Sequence, residues 1–178
     1  MKKIILGLLL LTSVSAVKTY AQMGAATKVN WDIEKNIEIN MEMDLVWDIF
    51  ASNEQLQKAS NGYVSAIEVV DPNFPMSRKI SFKNGGHRFE NITQSEAHNK
   101  LIAISFSDTD RPKGIKSAQY AIFIKAKGNQ TSVMWRAKVD GNQEAKKALV
   151  AQLNAEYDSY AQGLEKMTKK VIPAARMN

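Results

Sequence analysis

The chain has 178 residues, and its 24 lysines and arginines against 18 acidic residues give a formal net charge of +6. It contains no cysteine, which excludes disulfides, thiolate catalysis and zinc-thiolate sites and leaves stability to an apolar core. Most basic residues are scattered, and Lys166, Lys169, Lys170 and Arg176 gather where cations complement the end of a helix. Nucleic-acid binding requires a continuous basic face with aromatic platforms, so we expect no nucleic-acid partner.

Residues 1–21 have the layout of a secretory signal peptide: two lysines, an apolar run and a small, polar stretch. The apolar run is too short to span a bilayer. Cleavage is expected after Ala21, with Ala16 as the alternative. We therefore expect residues 22–178 to form a single exported domain, periplasmic or secreted, with no stable membrane insertion after cleavage. Three lysines precede Ala21, so this mature chain has 21 basic residues against 18 acidic ones.

In chain order, the mature sequence predicts a strand, two short helices, six more strands and one long helix. Alternation begins with Val29, and Lys35 interrupts the apolar set of the first strand, where we expect a bend or bulge. Asp44 is the expected N-cap of the first short helix. The predicted strands cover residues 29–40, 63–70, 77–83, 87–93, 102–106, 120–124 and 133–140, and the short helices cover residues 45–50 and 53–59.

The last helix carries a single stripe of apolar and aromatic side chains along ~22 residues, at steps of three or four. Such a stripe needs a broad apolar partner, and the preceding strands can supply one only as a sheet. The expected fold is therefore α+β, with a curved antiparallel sheet around the long helix and a hollow between the two layers. The stripe consists of Leu149, Leu153, Tyr157, Tyr160, Leu164, Met167 and Val171.

Two strands joined by the turn Asn84-Gly85-Gly86 place charged groups on their apolar faces. In the first strand Arg78 shares a face with Ile80 and Phe82, and in the second Arg88 and Glu90 share a face with Ile92. Arg78 and Glu90 are expected to meet across the ladder, because burying either alone is costly. Two interpretations stay open: a paired strut that fixes the sheet, or an anchor for a ligand carboxylate or hydroxyl through Arg78.

These features together resemble the START-like (SRPBCC) superfamily in its polyketide cyclase/dehydrase branch, over roughly residues 33–167. The order and spacing of several short motifs carry the resemblance, and none is diagnostic alone. One departure is that members of the superfamily often carry a tyrosine near the position of Ile104. The isoleucine in this chain makes the expected cavity more apolar. The motifs are Val46-Trp47, Arg78, Gly85-Gly86, Phe89-Glu90, Thr131 to Trp135 and Gly163-Leu164.

The resemblance implies a helix-grip fold, with a seven-stranded curved antiparallel sheet wrapped around the long C-terminal helix and two short helices after the first strand. It also implies a cavity for apolar ligands, whose mouth lies at the Asn84–Gly86 turn and the loop 108–114. The expected ligand is a lipid, a sterol-like compound or a polyketide-like compound. The expected ligand-binding residues are Arg78, Phe82, Glu90, Ile104, Phe106, Tyr120, Ile122, Trp135, Tyr157, Tyr160 and Leu164.

Catalysis is not indicated by the sequence, and we expect no cofactor and no metal. His87 and His98 are predicted on the surface, and the acidic loop near Asp108 does not supply enough ligands for calcium. Two alternatives remain: a cyclase or dehydratase that uses Glu90 or a cavity tyrosine as acid or base, and an interaction module with a filled core. Gly163 on the helix stripe indicates either a close approach of helix to sheet or extra cavity volume.

Overall fold

The structure, a computed structural model, describes residues 29–73 and 75–171, so the predicted signal peptide lies outside the described residues. Seven strands and three helices follow one another in the predicted order. No helix among these residues is long and apolar enough to cross a bilayer. The elements are β1 (Ile33–Ile39), α1 (Met43–Ala51), α2 (Asn53–Ala59), β2 (Val64–Asp71), β3 (Met76–Phe82), β4 (His87–Glu96), β5 (Leu101–Phe106), β6 (Ile115–Lys127), β7 (Gln130–Gly141) and α3 (Gln143–Val171).

All seven strands form one antiparallel sheet in the order β1-β7-β6-β5-β4-β3-β2. Each strand pairs with its chain neighbour except β1, which pairs with β7. The long helix α3 crosses the inner face of this curved sheet, and α1 and α2 lie at one end of the layer. The predicted helix-grip fold is therefore confirmed, including the two short helices after the first strand.

The inward faces follow the predicted period of two. In β7 the side chains of Val133, Trp135, Ala137 and Val139 are all buried, whereas the residues between them point outwards. The stripe of α3 is buried from Leu149 to Leu164. A half-buried strand that alternates in this way can contact α3 through one face only, so the apolar core lies between the sheet and the helices.

The first strand is shorter than predicted and is not bent at Lys35. It begins at Ile33, and its register with β7 runs without interruption, with Lys35 opposite Trp135. Lys35 lies on the inward register, and its ammonium group forms an ion pair with Asp158 on α3. A long lysine side chain can lie along an apolar surface and still place its charge at the rim, so no bulge is required.

The first short helix begins one residue before the predicted N-cap. Helix α1 starts at Met43, and its N-cap is Glu42, whose side chain makes no capping hydrogen bond. Asp44 instead lies in the first turn, and its carboxylate is 2.6 Å from the Lys100 ammonium group. A carboxylate in the first turn still stabilises the helix through its dipole. Asp44 therefore does contribute to the start of α1, but the prediction that it is the N-cap was wrong.

Gly163 marks a close approach of α3 to the C-terminal end of α2, not to the sheet. A Cβ atom added at Gly163 would lie 1.8 Å from the carbonyl oxygen of Ala59 and 3.2 Å from the amide nitrogen of Asn61. Nearby, the Ser159 hydroxyl donates a hydrogen bond to the Ser60 carbonyl at 2.5 Å. The expectation of a close approach was correct, and the expected partner was wrong.

Candidate functional site

Arg78 and Glu90 face each other directly across β3 and β4, as predicted. Arg78 is 2% exposed and Glu90 is fully buried. The Nε and Nη2 atoms of Arg78 are both 3.0 Å from Oε2 of Glu90. Nε donates a hydrogen bond to this oxygen, and Nη2 is within ion-pair distance of the same oxygen, so one carboxylate oxygen of Glu90 balances the Arg78 charge.

A second buried arginine shares Glu90 and connects the sheet to α3. The Nε atom of Arg88 donates to Oε1 of Glu90 at 2.7 Å. Its Nη1 and Nη2 atoms donate to the two carboxylate oxygens of Glu156 at 2.8 and 3.0 Å. Two arginines and two glutamates thus form one buried network of opposite charges that joins β3, β4 and α3.

Two uncharged groups complete this network. The Tyr120 hydroxyl on β6 donates to Oε1 of Glu90 at 2.9 Å, and Nη1 of Arg78 donates to Oδ1 of Asn53 on α2 at 3.2 Å. Every guanidinium nitrogen of Arg78 therefore has a protein partner. Because each nitrogen already has a protein partner and Glu90 balances the charge, this geometry favours the strut interpretation of Arg78 over the anchor interpretation.

Sequence analysis missed the roles of Arg88 and Glu156. Arg88 was predicted on the inward face, but no partner was predicted for it. Glu156 lies three residues after Leu153 and four before Tyr160, which puts it on the buried stripe of the helix. A glutamate at that spacing was the available signal, because a buried carboxylate needs a cation nearby.

The protonation states of the network follow from its charges. Burial alone would raise the pKa of Glu90, but the adjacent Arg88 and Arg78 charges and the Tyr120 hydroxyl hold that pKa below its ordinary value. Burial and the Glu90 charge raise the pKa of Tyr120. Burial likewise raises the pKa of Tyr157 well above its usual range. At neutral pH Glu90 is ionised and both tyrosines are neutral, so Glu90 is a weak base.

The lowered pKa of Glu90 predicts a loss of stability in acid. A carboxylate whose folded pKa lies below its unfolded value contributes stability above the ordinary value of 4.5, and that contribution disappears as the pH falls through the folded pKa. We expect the free energy of unfolding, measured by urea titration, to decline below about pH 4.5. The pKa of Asp32 is also lowered, so an Asp32→Asn variant should keep most of the decline. A flat pH profile in that variant would assign the effect to Asp32.

Stacked aromatic rings fill the layer beside the network. The rings of Trp135 and Tyr157 are stacked, with centroids 5.7 Å apart, and Tyr120 lies 6.1 Å from Tyr157. Phe50 of α1 packs edge-on against Trp135 at 5.9 Å. The Tyr157 hydroxyl is buried and has no hydrogen-bond partner among the described residues. An unpaired buried hydroxyl costs about 1–3 kcal/mol, which makes it a point where a polar ligand atom would be favoured.

All of the predicted ligand-binding residues lie in the buried layer between the sheet and the helices. Ile104 is directly opposite Tyr120 across β5 and β6, so a tyrosine hydroxyl reaches this layer from the neighbouring strand. The same core contains Ile122, Phe106, Tyr160 and Leu164. The structure thus brings the predicted ligand-binding residues together. Most of them contact one another and form part of the packed core.

A cavity of about 490 Å³ opens at the end of this layer, between the turn after α2, the β3–β4 turn and α3. Its apolar wall is formed by Tyr63 and Phe82, whose rings pack edge-on with centroids 5.6 Å apart. Of its residues only Phe82 was predicted as a ligand-binding residue, although the turn at Asn84 was placed at the mouth. The lining residues are Asn61, Gly62, Tyr63, Phe82, Lys83, Asn84 and Ser159.

The histidines and the loop after β5 lie on the surface. His87 and His98 are both exposed, as predicted, and Nε2 of His87 is 2.8 Å from Oδ2 of Asp110. Asp108 forms an ion pair with Arg111. Within residues 29–73 and 75–171 no group of three or more histidine, aspartate or glutamate side chains is arranged to hold a metal ion.

No family model and no curated protein matches the sequence. Solved structures match the fold. The protein XoxI from Bacillus cereus has a TM-score of 0.67 at 13% identity over 78% of this chain and 96% of that one. Major latex-like protein 151 from Panax ginseng has a TM-score of 0.63 at 14% identity over 76% and 95% of the two chains. The di-domain ARO/CYC protein BexL, from the BE-7585A biosynthetic pathway, has a TM-score of 0.64 at 8% identity over 77% and 46%.

The molecule is a helix-grip protein. Its fold is the one that the resemblance to the START-like (SRPBCC) superfamily implied, and it is similar to the folds of the latex-like protein and of the ARO/CYC protein. At these identities the match concerns the fold, and what the site does has to be argued from its own residues.

Proposed function

We propose that this protein binds a small hydrophobic or amphipathic molecule at the open end of the layer between the sheet and α3. The observation that carries the proposal is the cavity of about 490 Å³, which lies within the usual range of small-molecule sites. Tyr63 and Phe82 give it an aromatic wall, and Asn61, Asn84 and Lys83 surround the wall with polar groups. This combination suits a lipid, a sterol-like compound or a polyketide-like compound.

The buried interior limits how deep such a ligand can bind. The charges of Arg78, Arg88, Glu90 and Glu156 balance one another, and Trp135 is stacked on Tyr157. Phe82 separates the cavity from the network, because its ring lies 5.1 Å from the Arg88 guanidinium carbon. A ligand is therefore expected at the cavity wall, with deeper entry only if Phe82 moves.

A cyclase or dehydratase activity based on Glu90 is not favoured by these contacts. Glu90 accepts hydrogen bonds from two arginines and a tyrosine, and its pKa is lowered, so it is poorly suited to take a proton from a substrate. The unpartnered hydroxyl of Tyr157 is the one observation that supports a catalytic tyrosine among the predicted residues. Its raised pKa keeps that hydroxyl protonated, which suits orientation of a ligand oxygen better than acid catalysis.

Export is part of the proposal and rests on the lysines, the apolar run and the small residues of the first 21 positions. The domain then acts in the periplasm or outside the cell. The mass of the protein recovered from the cell envelope tests this, and a chain that retains Met1 and remains in the cytoplasm would contradict it.

Filling the cavity should abolish binding. We expect the protein to bind an uncharged apolar fluorophore such as N-phenylnaphthylamine at one saturable site. A Ser159→Phe substitution projects a ring into the cavity and should weaken binding at least about tenfold, a difference that fluorescence titration resolves. Ser159 is preferable to the fully buried Leu164 for this purpose, because a larger side chain at Leu164 would overpack the core.

The matched control is Ala151→Phe, which adds the same ring to an exposed position of the same helix. It should leave the affinity unchanged. Unsaturable binding, or equal affinity in the wild-type and Ser159→Phe proteins, would mean that this cavity is not the site and would favour an interaction module with a filled core.

A further inference from the structure

We propose that the cavity prefers a ligand that carries a carboxylate, and that Lys83 is the residue that binds this group. This inference rests on the proposed function and specifies its ligand class. It also moves the acid-binding role away from Arg78, which has that role in one of the two interpretations of the sequence.

The buried arginines are unsuited to bind an incoming acid. Arg78 uses its nitrogens on Glu90 and Asn53, and Arg88 uses its nitrogens on Glu90 and Glu156. The two positive and two negative charges balance, so the network presents no net charge to a ligand. A carboxylate that approached it would have to displace Glu90 or Glu156 from an arginine that it already pairs with, so charge-assisted hydrogen bonds would be exchanged and not added.

The cavity, unlike the network, has an unbalanced positive charge on its lining. Among the residues that the structure describes, Lys83 is the only charged one that lines the cavity, and no acidic side chain lines it. In the described part of the chain Lys83 forms no ion pair, whereas Lys35, Lys127 and Lys138 of the same sheet each pair with a carboxylate. The Lys83 backbone amide donates to the Tyr63 carbonyl at 3.1 Å, which fixes the start of the side chain beside the aromatic wall.

Neighbouring groups add to this positive rim. Oδ1 of Asn84 accepts a hydrogen bond from the Gly86 amide at 3.1 Å, which leaves the side-chain NH₂ of Asn84 available as a donor. Lys166 on α3 donates to Oδ1 of Asn61 at 2.7 Å, so a second ammonium group lies at the same opening. A ligand with its apolar body against Tyr63 and Phe82 would place a terminal carboxylate among these donors.

The test compares two ligands of equal chain length, dodecanoate and dodecanol, by displacement of the bound fluorophore at low salt. The measured quantity is the ratio of their two dissociation constants. Lys83 is exposed, and exposed ion pairs are weak. Lys83→Gln should therefore weaken binding of dodecanoate relative to dodecanol by about two- to fivefold. Lys83→Glu should change it further in the same direction, and the affinity for dodecanol should stay the same in both variants.

The control is Lys125→Gln, which removes an exposed lysine of β6 that also forms no ion pair in the described structure. Its ratio should equal that of the wild type. An unchanged ratio in Lys83→Gln with dodecanol still bound would overturn this inference and leave the proposed function standing. An equal change in Lys125→Gln would overturn it in favour of general charge attraction. If neither ligand displaces the fluorophore in the wild-type protein, the proposed function fails as well.

Discussion

Replacing Glu90 with glutamine is expected to lower the free energy of unfolding by about 3–5 kcal/mol, because it removes the carboxylate shared by two buried arginines. Arg78 would keep Asn53, Tyr120 and the amide oxygen of the introduced glutamine as partners, and none of these groups carries a charge that balances it. Urea unfolding measures the change. The control Glu34→Gln removes a glutamate that pairs with Arg136 on the exposed outer face, and it should cost less than about 0.5 kcal/mol.

A double substitution separates the two interpretations of this pair. If Arg78 is a strut, Arg78→Met combined with Glu90→Gln should recover part of the loss, because no unpaired arginine then remains on β3. If Arg78 instead binds the ligand, Arg78→Met should weaken binding of dodecanoate and change stability little. Small, additive effects of both single substitutions on stability would contradict the strut that the geometry favours.

Replacing Gly163 with alanine is expected to destabilise the protein by about 1–3 kcal/mol or more. The new methyl group would lie 1.8 Å from the Ala59 carbonyl oxygen and 2.7 Å from its carbon, and both are backbone atoms that cannot rotate away. Helix α3 would have to shift as a body. Intrinsic helix propensity alone would give the opposite sign, a gain of about 1 kcal/mol, so the direction of the change is decisive.

The control for propensity is Ala155→Gly, at an exposed position of the same helix. There the loss of alanine should cost about 1 kcal/mol, as expected for a solvated helix. A Gly163→Ala protein that is more stable than the wild type in urea would mean that α3 does not contact the end of α2 as closely as described.

The parts of the fold that could be predicted from sequence are those that depend on local periodicity. Alternation placed Arg78 and Glu90 on inward faces, and the turn between β3 and β4 fixed their register, so their contact followed without any knowledge of distant strands. The long stripe of α3 was predicted for the same reason. Gly163 on the buried stripe predicted either a close approach to the sheet or extra cavity volume, and the structure shows a close approach to the end of α2.

The missed parts depend on contacts between residues far apart in the chain. Glu156 pairs with Arg88, and nothing in the local pattern of α3 says which strand it meets. Lys35 looked like a break in β1 because its partner, Asp158, belongs to the last helix. The cavity beside Tyr63 and Lys83 is formed by two turns and a helix, and its shape follows from how those three segments pack.

The position of Glu156 in the chain has a consequence for the order of folding. It supplies one of two carboxylates to a pair of buried arginines, and it lies on α3, which follows every strand of the sheet in the chain. Until α3 docks, the inner face of the sheet offers the two guanidinium groups only the single carboxylate of Glu90, and excluding water from them without Glu156 would be strongly unfavourable. We therefore expect the sheet to stay open to water until the C-terminal helix arrives, so that strand closure and helix docking form one cooperative step.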